Sequence, residues 1–593
     1  MEKEIDTWLQ GFDAALRQGD GNAVAALFEP DGFWRDLLAF TWNIRTMEGR
    51  DAIADMLAAC LAQTAPANWR REGPAEATED GIAAWIAFET GTGWCRGRVT
   101  LRDGLCRILL TALDDLKGHE EPRGHRRPMG LVHRAGRNRT TWAESRAETI
   151  RRIGREDQPE VLIIGGGQGG VALAARLKSL GVPALIVEKN PRIGDSWRNR
   201  YRSLVLHDPV WYDHLPYLPF PETWPVFCPK DKIGDWLEAY ALIFELDAWT
   251  STECSAAHWD ADAERWTVTV DRAGETVTLT PRQLVFCTGA YGPPHVPDFP
   301  GQDDFRGTVL HSAQYASGAD WSGKRAVVIG AGSSAHDVAV DLWEAGADVT
   351  MFQRRPSIVV RSETLMKYGF DIYSEQAVQN GITTEKADLL AAATPYALFA
   401  GKQKRLYDVI RQEDAAFYDR LRKAGFACDF GEDDTGLMMR ALRTASGYYI
   451  DVGASSLIAD GKIGVVAQDA IERLTPTGIR FASGREVKAD LIVACIGYQS
   501  MNEAVAGIVD RETADNLGPC WGLGSGIQGD PGPWQGELRN MWKPTAHPAL
   551  WFHGGNLALS RFYSRFVALQ LKARQQGIPT PVYGRPAPAQ TGL

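Results

Sequence analysis

The sequence predicts an α/β protein with two similar strand–turn–helix units, preceded by a smaller α+β domain. Its 593 residues exceed the roughly 250–300 at which a single hydrophobic core stops growing, so we expect several domains. Two glycine-rich turns, at residues 165–170 and 330–335, each lie between an apolar strand pattern and a helical pattern. The first 117 residues instead combine helical periodicity with alternating strands.

The composition indicates an ordered, acidic, globular protein. Asp and Glu number 75 against 64 Lys and Arg, and this net charge of −11 disfavours nucleic acid and anionic membranes as partners. The nine cysteines are scattered without any CxxC spacing, so we expect neither a disulfide framework nor a metal site. The sequence has no long apolar segment, and we expect a cytoplasmic protein.

Residues 1–117 are predicted to form three helices followed by strands. Helical spacing covers IDTWLQGFDAALRQG, NAVAALFEP and GRDAIADMLAACL, whereas alternation marks GIAAWIAFET, GWCRGRVTLRDG and LCRILLTALDDL. This order predicts an α+β cone. Asp31, Trp34, Arg35 and Asp36 form either a polar pocket or a capped turn.

Residues 118–157 are basic and rich in Gly and Pro, which predicts a linker whose second part, TWAESRAETIRRI, is a helix that lies across the next domain.

The first glycine turn predicts a dinucleotide site. VLIIGGGQGG places Gly165, Gly167 and Gly170 after a strand and at the start of a helix. Glycines allow the tight turn, the approach of a pyrophosphate and close helix packing, while the helix N-terminus offers free N–H groups to the phosphates. Glu188 ends the next strand, where an acid accepts hydrogen bonds from a ribose, as in FAD.

The second glycine turn predicts a second nucleotide of a different kind. The cofactor-binding residues predicted here are Gly330, Gly332, Ser333, Ser334, Arg354 and Arg355. The two arginines stand where an acid would contact an unphosphorylated ribose, and their charge suits the 2′-phosphate of NADPH. The alternative is a solvated surface pair, and the arginines do not exclude NADH.

Two further segments lie where the chain would cross between these units. QLVFCTGAYGPPHVP and ADLIVACIGYQ each predict a buried strand that runs into a glycine. Either could be an ordinary strand and turn. In their order along the chain they look like the crossover segments of two-dinucleotide-binding-domain flavoproteins.

A specific fingerprint follows. FRGTVLHSAQY, from Phe305 to Tyr315, matches FxGxxxHxxxY/F, the identifying pattern of class B flavin-dependent monooxygenases. GDSWRNRY, YYIDVGA and WFHGGNLALSRFYSRFVALQL also resemble this family, so the likeness covers about residues 158–575. In carrying His207 within LHDP and an N-terminal extension, the chain resembles the type II flavin-containing monooxygenases, which are Baeyer–Villiger-active. The extension itself resembles the nuclear-transport-factor-two-like (SnoaL-like) fold, and we expect it to mediate dimerisation or shape the substrate entrance.

The resemblance implies a domain order and a reaction. An FAD-binding domain would comprise residues 158–320 and 491–593, with an NAD(P)H-binding domain and its helical insertion at 321–490. NADPH, or NADH, would reduce FAD, and a flavin C4a-(hydro)peroxide formed with O2 would transfer one oxygen atom to a small molecule. Ketone oxidation to esters or lactones and sulfoxidation are the expected reactions, in a homodimer. N-hydroxylation, oxidative decarboxylation of the indole-3-pyruvate type and a non-catalytic FAD-binding sensor remain alternatives.

The resemblance also implies site residues. His207 would lie beside the flavin, and His311 would support the connection between the nucleotide domains, although a packed histidine explains either one. Trp197 and Arg198 would contact the flavin, and Asn556 would hold FAD at a helix start or simply cap that helix. Tyr315-Ala316 replaces the Trp-Pro of typical type I Baeyer–Villiger enzymes, and their active-site arginine segment has no clear counterpart.

Overall fold

The computed structural model describes residues 1–130, 137, 139–289, 293–295 and 297–586. Parts of three predicted segments therefore lie outside the described residues. They are 131–136 and 138 of the linker, 290–292 and 296 of the first crossover, and 587–593 at the C-terminus.

The N-terminal region is an α+β domain with one six-stranded sheet in the order β2-β1-β6-β5-β4-β3. Strand β1 runs parallel to β6, and every other neighbouring pair is antiparallel. The elements are α1 (Glu2–Gln18), α2 (Gly21–Ala26), β1 (Phe28–Leu37), β2 (Ile44–Glu48), α3 (Gly49–Thr64), β3 (Ala67–Thr78), β4 (Gly81–Glu89), β5 (Gly93–Arg102) and β6 (Leu105–Leu116).

The order of these elements corrects the prediction of three helices followed by strands. Strands β1 and β2 precede α3, because the apolar residues around Trp34 belong to a strand that is buried on both faces. Asp36 accepts hydrogen bonds from the backbone N–H groups of Phe40 and Thr41 and from the hydroxyl groups of Thr41 and Thr111. This buried carboxylate caps a turn and does not line a polar pocket.

Helix α4 (Trp142–Arg152) lies across the following domain. A capping box between Thr141 and Glu144 starts it. The Trp142 indole donates to Glu245, and Arg146 pairs with Asp247. No residue of this helix is buried, so polar contacts hold it in place.

The first glycine turn belongs to a five-stranded parallel sheet. The elements of this part are β7 (Val161–Ile164), α5 (Gln168–Ser179), β8 (Ala184–Val187), α6 (Asp195–Arg198), α7 (Lys230–Ile243), β9 (Ala248–Trp249), β10 (Thr252–Asp260), β11 (Arg265–Arg272), β12 (Glu275–Leu279) and β13 (Gln283–Phe286). Strands β10, β11 and β12 form a separate antiparallel sheet.

The second glycine turn belongs to another parallel sheet, in the order β14-β24-β15-β16-β20. The elements are β14 (Thr308–His311), β15 (Arg325–Ile329), α8 (Ser333–Glu344), β16 (Asp348–Gln353), β17 (Ser357–Arg361), α9 (Ser362–Tyr368), α10 (Glu375–Gln379), α11 (Thr384–Ala392), α12 (Tyr396–Glu413), α13 (Ala415–Lys423), β18 (Cys428–Asp429), α14 (Gly436–Thr444), β19 (Tyr448–Asp451), α15 (Ala454–Ala459), β20 (Gly464–Ala467), β21 (Ile471–Thr475), β22 (Gly478–Phe481), β23 (Glu486–Lys488) and β24 (Leu491–Ala494).

The last elements return the chain to the first sheet. They are α16 (Asn502–Ile508), α17 (Arg511–Leu517), β25 (Leu550–Phe552) and α18 (Leu557–Gln575). Strand β25 pairs parallel to β13 and completes the order β25-β13-β7-β8-β9. The second nucleotide-binding domain is thus inserted into the first. In the part of the chain that the structure describes, no helix is both long and apolar enough to cross a bilayer.

The two crossover segments are hydrogen bonded to each other. Pro294 and Tyr498 form an antiparallel bridge, and the Gln499 N–H donates to the Pro293 carbonyl at 2.8 Å. Strand β14 already belongs to the second sheet, so the chain has left the first domain before residue 308. The chain therefore enters and leaves the inserted domain at one place.

Candidate active site

The first glycine turn requires glycine at Gly165 and Gly170. Gly165 has φ +107°, and a Cβ there would overlap the Cys287 carbonyl oxygen. A Cβ on Gly170 would overlap the carbonyl oxygen of Gly165, so helix and strand meet backbone to backbone. Gly167 is the N-cap of α5, and its nearest neighbour would be Ser196 Oγ at 3.4 Å. The open N-terminus of α5 fits a pyrophosphate.

Glu188 lies directly under this turn and is buried. Its Oε2 accepts the Gly166 N–H at 2.7 Å, while Oε1 accepts the backbone and side-chain N–H groups of Asn190 at 2.8 and 2.6 Å. A carboxylate has roughly four lone-pair positions, so one is left for a ribose hydroxyl group. The predicted role of Glu188 is compatible with this geometry.

A hydrogen-bonded row leads from this turn to the start of α18. The Trp197 indole donates to Gln168 Oε1 at 3.1 Å, and Gln168 Nε2 donates to the Gly555 carbonyl at 3.0 Å. Asn556 caps α18 by accepting the Leu559 N–H at 2.9 Å, and its Nδ2 bonds to the hydroxyl of Tyr212 at 3.2 Å. Trp197 and Asn556 therefore lie at the two ends of this row, and we call the region between the row and His207 the cleft.

Arg198 is held by other protein groups. Its guanidinium donates to the carboxylates of Asp195, Asp235 and Glu238 at 2.8–2.9 Å and to the Ile193 carbonyl at 3.0 Å. These contacts join α6 to α7. Flavin contact by Arg198 stays a prediction, and the observed bonds give it a structural role.

The second glycine turn repeats the first. Gly330 has φ +126°, and a Cβ there would overlap the Cys495 carbonyl oxygen, the counterpart of Cys287. Gly332 is the N-cap of α8, and its Cβ would have no neighbour closer than 3.6 Å. Ser333 Oγ donates to the Tyr448 carbonyl at 3.2 Å, and Ser334 is half-buried at the same helix end. This turn also fits a pyrophosphate.

The arginines after β16 are exposed. Neither Arg354 nor Arg355 makes a hydrogen bond or ion pair within the described ranges. The preceding Gln353, in contrast, is fully buried, because its amide bonds to both backbone groups of Ala427 at 2.8 Å. Two free guanidinium groups at the end of the second strand fit a phosphorylated ribose.

His207 contacts the inserted domain. Its Nε2 lies 3.3 Å from Asp337 Oδ1 on α8, and the Tyr201 hydroxyl donates to Asp337 Oδ2 at 2.6 Å. Burial disfavours the imidazolium most strongly, but the hydrogen bond to Asp337 and the nearby acidic charges outweigh it and raise the pKa of His207. Nδ1 has no hydrogen-bond partner among the residues that the structure describes. A cavity of about 320 Å³ lies against His207, Asp337 and Tyr449.

Two carboxyl groups follow His207, a half-buried one at Asp208 and a buried one at Asp213. Burial raises the pKa of Asp208 to about 6, and burial together with the charge of Asp208 raises the pKa of Asp213 well above its usual range. The nearby Arg561 does not neutralise them directly. Its Nε and Nη2 bind Asp388 at 2.9 and 2.7 Å, and its Nη1 donates to the Tyr212 and His214 carbonyls.

His311 supports the crossover. Its Nε2 donates to the Gly497 carbonyl at 3.1 Å, and its Nδ1 accepts the Ala313 N–H at 3.1 Å. The His295 N–H donates to the same Gly497 carbonyl. Burial lowers the pKa of His311, which is consistent with a neutral ring. These bonds agree with the predicted connecting role and leave neither ring nitrogen for chemistry.

The two sheets, their glycine turns and the cleft between them define an oxidoreductase with two dinucleotide-binding domains. A family model described as pyridine nucleotide-disulphide oxidoreductase matches residues 162–395. The indole-3-pyruvate monooxygenase YUCCA1 of Oryza sativa subsp. japonica is 33% identical over 345 residues, which are 58% of this chain and 77% of the relative. The probable indole-3-pyruvate monooxygenase YUCCA3 of Arabidopsis thaliana is 30% identical over 345 residues, 57% of this chain and 73% of that one. The chain belongs to the flavin-dependent monooxygenases, whose cofactors are FAD and NAD(P)H.

A solved structure shares the fold. The ε-caprolactone-bound crystal structure of cyclohexanone monooxygenase aligns with a TM-score of 0.50 and 17% identity, over 71% of this chain and 88% of that one. The likeness concerns the arrangement of the two nucleotide-binding domains.

Sequence reasoning missed several residues that build the cleft. Asp337 and Tyr201 complete the contact with His207, Gln168 connects Trp197 to Gly555, and Tyr212 contacts Asn556. Of these residues, only Asp337 had a local signal in the sequence, because it follows the second glycine turn by two residues. The other partners are far apart along the chain, so no local pattern joins them.

Proposed function

We propose that this monooxygenase acts on neutral carbonyl compounds and converts ketones to esters or lactones, a Baeyer–Villiger oxidation. The observation that supports the proposal is the charge of the cleft wall. A 2-oxo acid substrate needs a cation for its carboxylate, whereas a ketone needs only a hydrogen-bond donor and an apolar surface.

Arg561, which is buried, and Arg198, which is half-buried, are already neutralised. Arg561 is saturated by Asp388 and two carbonyl groups, and Arg198 is saturated by three carboxylates. Asp208 and Asp213 lie in the segment after His207 and form no salt bridge with the described residues, and the raised pKa of each makes its neutral form more abundant. Among the described residues this wall therefore offers no unpaired cation to a substrate carboxylate, so a neutral substrate is favoured.

The proposal gives the chain's residues definite tasks. When bound, FAD and NAD(P)H supply the reducing equivalents with which dioxygen delivers one oxygen atom to the ketone and the other to water. Gly165, Gly167 and Gly170 would hold the FAD pyrophosphate, and Glu188 would accept a ribose hydroxyl group. The turn at Gly330 would hold the second pyrophosphate in the same way.

His207 would act as hydrogen-bond donor in the cleft. Asp337 fixes the imidazole through Nε2, which leaves Nδ1 to face a cofactor or substrate oxygen. The raised pKa keeps a larger share of the ring protonated near neutral pH, and the overall oxidation consumes one proton. His207 is therefore the proposed residue that holds a proton at the reacting atoms.

The proposed reductant is NADPH. Arg354 and Arg355 are exposed and free, and they follow β16, where the ribose 2′ substituent of a bound nucleotide is expected. NADH would bind without these contacts.

A second candidate is oxidative decarboxylation of a 2-oxo acid. The relatives at 33% and 30% identity are named for this substrate class, and it also involves oxygen transfer to a carbonyl carbon. A disulphide reductase is disfavoured, because all nine cysteines are free and none forms a redox pair.

A matched pair of substrates separates the two candidates. Phenylacetone and phenylpyruvate share a skeleton and differ in a methyl group against a carboxylate. With NADPH and ¹⁸O₂ we expect labelled benzyl acetate from the ketone. Phenylacetate and CO2 as the preferred products would transfer the assignment to the 2-oxo acid reaction. Hydrogen peroxide without either product would contradict both.

The N-terminal domain and the assembly belong to the same proposal. Its six-stranded sheet with three helices is consistent with the resemblance to the nuclear-transport-factor-two-like fold. We propose that the protein is cytoplasmic and forms a homodimer. Light scattering of the purified protein measures the mass, which checks the dimer.

A further inference from the structure

We propose that the N-terminal domain is a clamp that fixes helix α11 against the cleft, with Arg35 as its positioning residue. Only the part of the test that measures product formation depends on the proposed function. Three sets of contacts carry the inference, and they run from β1 through α11 to the segment after His207.

Arg35 is the centre of the first set. It is 1% exposed, although it reaches out of the N-terminal domain from β1. Its Nε and Nη2 bind both carboxylate oxygens of Glu537 at 2.6 and 2.7 Å, and its Nη1 donates to the Ala392 carbonyl at 2.7 Å. Ala392 ends α11, where a cation satisfies a free carbonyl and favours the helix dipole.

A second set of charges holds the other end of α11. Glu385 in its first turn pairs with Arg565 of α18 at 3.0 Å and with Arg96 of β5 at 3.8 Å. Asp114 of β6 binds the same two arginines at 2.6 Å. Both ends of α11 are therefore bonded to groups from the N-terminal domain. Helix α12 continues the contact, because Lys402 pairs with Asp80 at 2.5 Å.

The third set connects α11 to the cleft. Asp388, in the middle of α11, makes the two-pronged ion pair with Arg561, and both side chains are buried. Arg561 in turn donates to the carbonyl of Tyr212, whose hydroxyl contacts Asn556. Thr384 donates to the Trp211 carbonyl at 3.3 Å. A shift of α11 would thus move the wall between His207 and α18.

The test uses two substitutions together, since removing one partner leaves a buried charge and could unfold the protein. Arg35→Met with Glu537→Gln removes both charges and the bond to Ala392. We expect hydrogen exchange of the α11 amides in the holoenzyme to accelerate at least tenfold, while exchange in α5 stays unchanged. Arg107→Met is the matched control, because Arg107 is also largely buried between two carboxylates but contacts only the N-terminal domain.

Activity gives the second readout. We expect the double variant to keep the anaerobic rate of flavin reduction by NADPH within about twofold, and to lose several-fold in product formed per NADPH consumed. Adding Asp388→Asn together with Arg561→Gln, which removes both charges of that buried pair, should cause little further loss, because both sites act on the cleft through α11. Unchanged exchange in α11 would overturn the clamp. That measurement needs no substrate, so it stands even if the proposed ketone oxidation fails.

Discussion

His207 and Asp337 lie on different nucleotide-binding domains, and their side chains meet at 3.3 Å. Asp337 also accepts the Tyr201 hydroxyl, so one carboxylate on α8 holds two residues of the first domain. Asp337 lies two residues after the second glycine turn, so the partner of His207 stands on the helix whose N-terminus fits the second pyrophosphate.

We predict that Asp337→Asn lowers the pKa of His207 and reduces product per NADPH several-fold. The folded-state pKa of His207 is raised, so its contribution to stability is complete below the unfolded pKa of about 6.5 and is lost as pH rises through the folded pKa. The difference in unfolding free energy between wild type and variant should therefore shrink as pH rises.

Urea unfolding from about pH 6 to about pH 9 measures this trend, and the pH profile of product formation should shift toward acid. Asp348→Asn, an exposed acid on β16 of the same domain, serves as the control. A pH-independent stability difference would mean that Asp337 acts through Tyr201 alone.

The two glycines of the second turn should respond differently to alanine. At Gly330 the new Cβ would overlap the Cys495 carbonyl at positive φ, so Gly330→Ala should destabilise the inserted domain. At Gly332 the protein leaves room, so Gly332→Ala should fold, retain FAD and bind NADPH weakly. Thermal unfolding and NADPH titration of both variants check this contrast. Equal loss of folding in both would show that Gly332 has a structural role as well.

Arg354→Ala should raise the KM for NADPH about tenfold or more and leave that for NADH nearly unchanged. A charge-assisted hydrogen bond to a 2′-phosphate is worth at least about 1.4 kcal/mol, which corresponds to a factor of ten. Arg480→Ala, on a surface strand of the same domain, should change neither KM. An equal rise for both nucleotides would remove the 2′-phosphate role.

Two substitutions of Asn556 can distinguish its role as a helix cap from a role in FAD binding. Asn556→Ala removes the cap of α18 and should lower the unfolding free energy by about 1 kcal/mol. Asn556→Ser restores a capping oxygen but not the bond to Tyr212, so stability should recover while FAD affinity stays reduced. Denaturant melts and flavin fluorescence titration measure the two quantities. Full recovery of FAD affinity in the serine variant would identify Asn556 as a helix cap and nothing more.

The nucleotide-binding architecture could be predicted because its determinants are local. Gly165 and Gly330 mark strand ends at which a side chain would overlap a backbone carbonyl, and only glycine satisfies that requirement. The same kind of local rule identified the capped start of α18 at Asn556.

The cleft wall could not be predicted, because its determinants are not local. Arg561 is 173 positions from Asp388, and Arg35 is 502 positions from Glu537. Each is an ordinary arginine in its own segment. Strand β1 was not predicted before α3 for a related reason. It is buried on both faces, so it lacks the alternation of apolar and polar residues that identifies a half-exposed strand.

The pairing of Pro294 with Tyr498 has a consequence for how such enzymes diversify. Because the chain enters and leaves the inserted domain through adjacent hydrogen-bonded segments, recombination at these two points would exchange the whole domain without cutting a strand of the first sheet. A domain from a relative that prefers another nicotinamide nucleotide could be grafted there, provided that its α8 counterpart carries an acid opposite His207.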